Sequence, residues 1–268
     1  MFFIAYNWDD LGRFAKFGMV EALLIATILT YWKLDKGKVT AKVTLLMATI
    51  FLGVLLALYG QTYQTGADPW QLFFNWSLLM LPWAIVGRFS AIWILWISLV
   101  NLSIVLYYTA FRGAVFFIVG SGETSMLWAL FIFNTLTLAI WELLSNRWQW
   151  LAERWAARLI AIACGTTITW LVIYAIFDSR HQTELSLLMW AAWLAAFYYI
   201  YRNMRQDLFM LAGISLSAII VTICFMAKNM FEHANFDAGI FLLIAIMIIG
   251  MGTGAAVWLR KVHQEFQA

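Results

Sequence analysis

Long apolar runs separated by short polar segments account for almost the whole chain. Nine runs fall at residues 14–32, 39–59, 70–87, 89–109, 125–144, 157–177, 185–201, 208–227 and 238–259. Each is close to the ~20 apolar residues that a helix needs to cross the bilayer hydrocarbon. The runs are continuous rather than alternating, so they predict helices and not the strands of a membrane β-barrel. The predicted fold is an all-α, polytopic helical bundle of about nine transmembrane helices. It forms a single transmembrane domain over residues 1–268, and its loops leave no room for a soluble domain. No internal repeat is evident.

Composition agrees with the pattern. Hydrophobic residues make up 64% of the chain and charged residues 12%, against roughly a quarter charged in a soluble domain. That balance excludes a soluble globular protein, a disordered chain and a nucleic-acid-binding domain. The charges are sorted. The face holding the N-terminus carries five basic residues (Arg13, Lys16, Arg112, Arg180 and Lys228), and the opposite face carries the other twelve. Basic loops stay cytoplasmic, so the N-terminus is expected outside and the C-terminus inside, as an odd number of spans requires. Eight of the 14 acids lie on the outer face and five on the inner, with Glu21 inside a span. The net charge of +3 therefore reports topology and not nucleic-acid binding. The expected location is a bacterial inner membrane, with the lipid bilayer as the first partner.

An outside N-terminus without a signal peptide is unusual. The apolar opening, residues 1–5, reads either as the last turn of an upstream helix or as a short tail that translocates unaided. Two stretches bear on this. Phe3-Ile4-Ala5-Tyr6-Asn7-Trp8-Asp9-Asp10-Leu11 precedes Arg13-Phe14-Ala15-Lys16, and Tyr59-Gly60-Gln61-Thr62-Tyr63-Gln64-Thr65-Gly66-Ala67-Asp68-Pro69-Trp70 lies between spans two and three. Over roughly its first 90 residues the chain resembles a family of bacterial predicted membrane proteins classed as a domain of unknown function. The resemblance implies a further helix before the Asn-Trp-Asp stretch, which this chain would enter part-way. It implies no activity and no catalytic residue.

The outer face gathers the polar candidates: Asn7, Trp8, Asp9 and Asp10 before span one, Gln61, Tyr63, Gln64, Asp68 and Trp70 around the second loop, and His181 and His233 in later loops. With Glu21 they form a candidate ligand site, an acidic pocket rimmed by aromatics. Each acid also has a structural role open to it. Asp68 before Pro69 is a good helix start, and Asp9, Asp10, Glu184 and Asp237 sit where a helix dipole favours carboxylates. The loop at residues 60–69 is richer in polar groups than a turn requires. Glu21 is either a proton- or cation-coupling group or a buried partner of Lys16 or a span asparagine, since charges within spans usually face the bundle interior.

Other features read as packing. Asn75, Asn101 and Asn134 are expected to bond across helices and gather spans three to five. Gly250, Gly252 and Gly254 in span nine, and Gly213 with Ser217 in span eight, are small-residue stripes expected to pack within the chain, with a homodimer through Gly250 and Gly254 as the alternative. Residues 147–158 resemble an amphipathic helix at the inner surface. Cys164 and Cys224 lie at different depths and are read as apolar fillers. Two loop histidines without a His-Glu-x-x-His spacing do not make a metal centre, and no cofactor motif is present.

Three functions follow from this reading. The first is binding or transport of a small molecule, ion or lipid through an outer-face pocket. The second is a non-catalytic membrane subunit or scaffold that docks a partner protein. The third is an envelope or lipid-modifying enzyme using outer carboxylates.

Overall fold

A computed structural model describes residues 11–64, 66–111, 122–177, 183–233 and 238–267. Among these, every regular element is helical. Nine α-helices run in chain order: α1 Arg13–Lys33, α2 Val39–Tyr63, α3 Pro69–Gly87, α4 Ser90–Ala110, α5 Gly122–Leu144, α6 Arg154–Phe177, α7 Thr183–Tyr199, α8 Leu208–His233 and α9 Ala238–Gln267. They coincide with the nine apolar runs. Eight are long and apolar enough to cross a membrane. The exception is α3, whose Gln71, Asn75, Pro69 and Pro82 dilute its apolar content.

The outward faces explain why such helices need lipid. Leu242, Ile246 and Ile249 on α9 and Leu23, Ile25 and Leu29 on α1 are exposed. Water would penalise contiguous apolar surface of this kind, whereas hydrocarbon solvates it and the helical backbone satisfies its own polar groups.

Several elements run further than their hydropathy alone suggests. Helix α2 continues through Gln61-Thr62-Tyr63 and stops at Gln64, which adopts a left-handed conformation (φ 43°). Half of the polar stretch between spans two and three is thus helical rather than loop. Helix α8 extends to His233 and α9 to Gln267, because helical hydrogen bonds continue past the bilayer edge when polar side chains remain solvated. Pro69 takes the first position of α3 and Asp68 the capping position, but the Asp68 side chain makes no capping bond. Residues 147–158 are not one amphipathic helix. A 3₁₀ turn, Gln149–Leu151, precedes α6, which already begins at Arg154.

The chain folds as two compact units, Met1–Arg112 with Leu144–Ala156, and Gly113–Leu143 with Ala157–Ala268. In the first, short connections set neighbouring helices antiparallel. The link from α1 to α2 is an Asx turn in which the Gly37 N–H donates to Asp35 Oδ1 at 3.1 Å. Leu45, Met80, Ala84, Ile92 and Leu99 form its core. Trp76 lies against Gly53 so closely that a Cβ there would come within 2.3 Å of the indole, and Trp76 Nε1 donates to the Thr49 carbonyl at 2.9 Å. Trp150 stacks on Trp93 and on Trp148, and its carbonyl accepts from Ser90 Oγ at 2.6 Å. Trp150 therefore packs within this unit, while Trp148 and Trp155 stay exposed.

In the second unit, Val172 and Ile176 of α6 meet Val221 of α8 in the core, with Trp190 of α7 against them. Between α7 and α8 the chain makes one π-helical turn, Ile200–Met204, and then passes through Gln206 in a left-handed conformation (φ 46°). The Arg205 N–H reaches the Ile200 carbonyl at 2.9 Å. This five-residue closure redirects Tyr201, Arg202 and Arg205 from the face they would occupy in a continuous α-helix.

Candidate functional site

A cavity of about 580 Å³ opens within the second unit, lined by α6, α7 and α8. Its room comes from small residues: Ala161 and Gly165 on α6, and Ala212 and Gly213 on α8. A Cβ on Gly213 would meet no described atom within 4 Å, and one on Gly165 would approach Trp193 at 3.2 Å. Trp193 and Phe197 of α7 form the floor, both buried and 4.1 Å apart between ring centroids. The rim is exposed: Trp170 is 59% accessible and Leu216 58%. The cavity thus opens sideways between α6 and α8, onto the surface that these apolar helices present to hydrocarbon. Its size falls in the range of small-molecule sites.

Of the three hydroxyls that line the cavity, exposed Thr166 makes no hydrogen bond among the described residues, whereas the inner two, Thr169 and Ser217, are already engaged. Thr169 Oγ1 donates to the Gly165 carbonyl at 2.6 Å. Its single proton being used there, the 2.6 Å contact with Ser217 Oγ is a donation from Ser217. Ser217 in turn accepts from Trp190 Nε1 at 3.0 Å. The chain Trp190, Ser217, Thr169, Gly165 uses every donor it contains. Cys164, fully buried, accepts from Trp193 Nε1 at 3.1 Å and contacts Thr135 Oγ1 at 3.0 Å. It is not the inert filler expected but a junction of α5, α6 and α7. A largely apolar wall whose inner donors are satisfied offers little to a polar ligand and suits a hydrocarbon one.

Charged side chains stand just beyond one end of the cavity, next to lining residues Ala161, Ile162 and Phe209. Arg158 precedes Ala161 and Ile162 by one helical turn, so it shares their face. Its Nε and Nη2 donate to Asp207 Oδ2 and Oδ1 at 3.3 and 3.2 Å. Asp207 is buried and also accepts the Phe209 N–H at 3.0 Å, capping α8. The Arg158 guanidinium lies 5.4 Å over the Phe209 ring, and Phe209 lines the cavity. Two further ion pairs hold this end together: Arg205 with Glu142 at 3.4 Å, and Arg202 with Glu265. Buried Tyr201 donates to Glu142 Oε1 at 3.0 Å.

The residues singled out by sequence do not line this cavity. Asn7, Trp8, Asp9, Asp10 and His181 lie outside the described residues, as does the side chain of His233. Glu21 is exposed on α1 rather than turned into the bundle, because one face of α1 packs on α2 and Glu21 sits on another. Gln61, Tyr63 and Gln64 are exposed at the end of α2, and Asp68 and Trp70 are half-buried at the start of α3. Aromatic contacts tie this region together. Tyr63 packs on Tyr59 (4.8 Å) and Phe17 (6.1 Å), and Trp70 meets Tyr107 edge-on at 5.2 Å. Trp70 Nε1 is buried with no hydrogen-bond partner among the described residues.

One bond of Asn101 and one of Asn134 go to the carbonyl four residues back in the same helix, at 2.8 Å, and Asn75 is exposed. Two packing expectations change. A Cβ on Gly250, Gly252 or Gly254 would meet no described atom within 4 Å, so they are not an internal packing stripe among the described residues. Gly213 is likewise not a packing glycine but part of the cavity wall.

The cavity and Asp207 escaped the sequence reading. A signal existed in both cases. Gly165, Thr169, Gly213 and Ser217 put small and hydroxyl residues at i and i+4 on two different spans. Asp207 is an acid in a basic loop, two residues after Arg205 and directly before an apolar run.

No curated protein matches the chain. No solved structure matches it. Residues 1–93, which fall within the first unit, match the model of a family described as Predicted membrane protein (DUF2157).

Proposed function

We propose that this membrane protein binds one hydrocarbon chain of a lipid in the cavity between α6 and α8. The observation that carries the reading is the combination of an apolar, laterally open space with two inner wall hydroxyls, Thr169 and Ser217, whose donors are already used. Such a space is matched by an acyl or prenyl chain entering from the bilayer, not by a hydrated solute. The reading includes a bacterial inner membrane location, with the first residues outside and the C-terminus in the cytoplasm, as the sorting of basic residues indicates.

The test is to purify the full chain in mild detergent and count retained lipid by native mass spectrometry. The wild type is expected to keep about one lipid, and Gly213→Phe, whose ring would occupy the cavity, to lose it. Equal retention by both proteins would end the reading.

A second reading is helix association through α9. It is favoured by the open space around Gly250 and Gly254, and it predicts that Gly254→Leu abolishes a chemically cross-linked dimer in membranes.

A further inference from the structure

We propose that the charged end of the cavity selects an anionic, phosphate-bearing lipid headgroup, and that Arg158 is the residue that contacts it. The inference rests on the hydrocarbon-binding reading above and adds the chemistry of the head to that of the tail. Arg158 stands at the place where such a head would emerge. It is on the α6 face that lines the cavity, one turn beyond Ala161 and Ile162, and its guanidinium covers Phe209 on the opposite wall. A chain held between α6 and α8 would bring its polar end to this guanidinium.

The guanidinium is held ready for the task. Asp207 engages Nε and Nη2 from one side, and the guanidinium lies over the Phe209 ring. Asp207 is itself fixed, being buried and bound to the Phe209 N–H. Nη1 makes no hydrogen bond among the described residues, and the Arg158 side chain is 42% accessible. A planar guanidinium with one edge anchored and the other open is suited to phosphate oxygens.

The counter-charge needs to be weighed. Asp207 cancels the charge of Arg158, so recognition here depends on directed N–H donation rather than on a strong local field. The wider surroundings add a positive bias. At this end of the second unit Arg158, Arg202, Arg205, Arg260 and Lys261 outnumber Glu142, Asp207 and Glu265. Anionic headgroups are drawn to such a surface.

The test compares lipids with the same two oleoyl chains and different heads, using the full chain in mild detergent and native mass spectrometry. The probes are phosphatidylglycerol, phosphatidylcholine and diacylglycerol. Wild type is expected to prefer phosphatidylglycerol over diacylglycerol by about tenfold, the weight of one charge-assisted hydrogen bond. The double variant Arg158→Gln/Asp207→Asn removes both charges without leaving a buried carboxylate unpaired. It is expected to bring the two lipids to near parity while diacylglycerol binding stays as in wild type. Asp207→Asn alone frees Arg158 from its counter-charge and is expected to raise the preference. Gly213→Phe should reduce all three lipids alike. Parity in wild type, or a preference that survives in the double variant, would overturn the assignment of Arg158 while leaving the cavity reading intact. Insensitivity of all three lipids to Gly213→Phe would overturn the cavity reading itself. Millimolar inorganic phosphate is expected to leave phosphatidylglycerol bound. Its displacement would assign the site to free phosphate rather than to a lipid head.

Discussion

Ser217 of α8 and Thr169 of α6 meet hydroxyl to hydroxyl at 2.6 Å, with the Ser217 proton directed to Thr169 because Thr169 spends its own on Gly165. The direction of this chain makes the two hydroxyls unequal. Ser217→Ala leaves the Trp190 N–H without its acceptor, whereas Thr169→Val lets Ser217 turn to another carbonyl. Interhelical hydrogen bonds in membranes are worth about 0.6–2 kcal/mol. Ser217→Ala is therefore expected to cost more of that range than Thr169→Val, measured by denaturant unfolding in mixed micelles. The reverse ranking would show that the proton runs the other way.

Two glycines of α2 behave oppositely. A methyl on Gly53 would sit 2.3 Å from the Trp76 ring, whereas one on Gly60 meets no described atom within 4 Å. Gly53→Ala must displace Trp76 and break its bond to Thr49, at a cost of about 1–3 kcal/mol. Gly60→Ala gains helix propensity and is expected to stabilise by a few tenths up to about 1 kcal/mol. Thermal unfolding in detergent, read by near-ultraviolet circular dichroism, compares the two.

Tyr201 anchors the π-turn to α5 through Glu142, which also pairs with Arg205. Tyr201→Phe keeps the packing and removes one hydrogen bond to a charged acceptor, with an expected cost of about 1.5–3 kcal/mol. Hydrogen exchange should show faster opening of the segment at residues 200–207 in this variant, and unchanged exchange in α2 and α3.

The proposed orientation has a direct consequence. Ala67 is exposed between α2 and α3, and Gln267 is exposed at the end of α9. In intact cells Ala67→Cys should react with a membrane-impermeant maleimide, and Gln267→Cys only after permeabilisation. The opposite pattern would invert the topology.

The helices were legible in the sequence because each is a long, largely apolar run, a local property. Their ends were less so, since Gln61, Thr62 and Tyr63 look like loop residues yet continue α2. The cavity was not legible. It exists because Gly165, which faces Trp193, and Gly213 on another helix line the same space, a register that only the fold determines. The same holds for Asp207, whose partner Arg158 is 49 positions away. Polar outer-loop residues drew attention because they are conspicuous in the chain. The cavity is built instead from residues that look ordinary in a membrane helix.

The central claim is that a lipid tail occupies the cavity between α6 and α8. The most direct measurement is photo-cross-linking of the full chain in membranes, using a phospholipid with a diazirine on its acyl chain, followed by peptide mapping. The account predicts adducts concentrated at cavity residues such as Thr166, Gly213 and Ile220, and their loss in Gly213→Phe. Adducts spread evenly over the exposed faces of α1 and α9, with none enriched in the cavity, would contradict it.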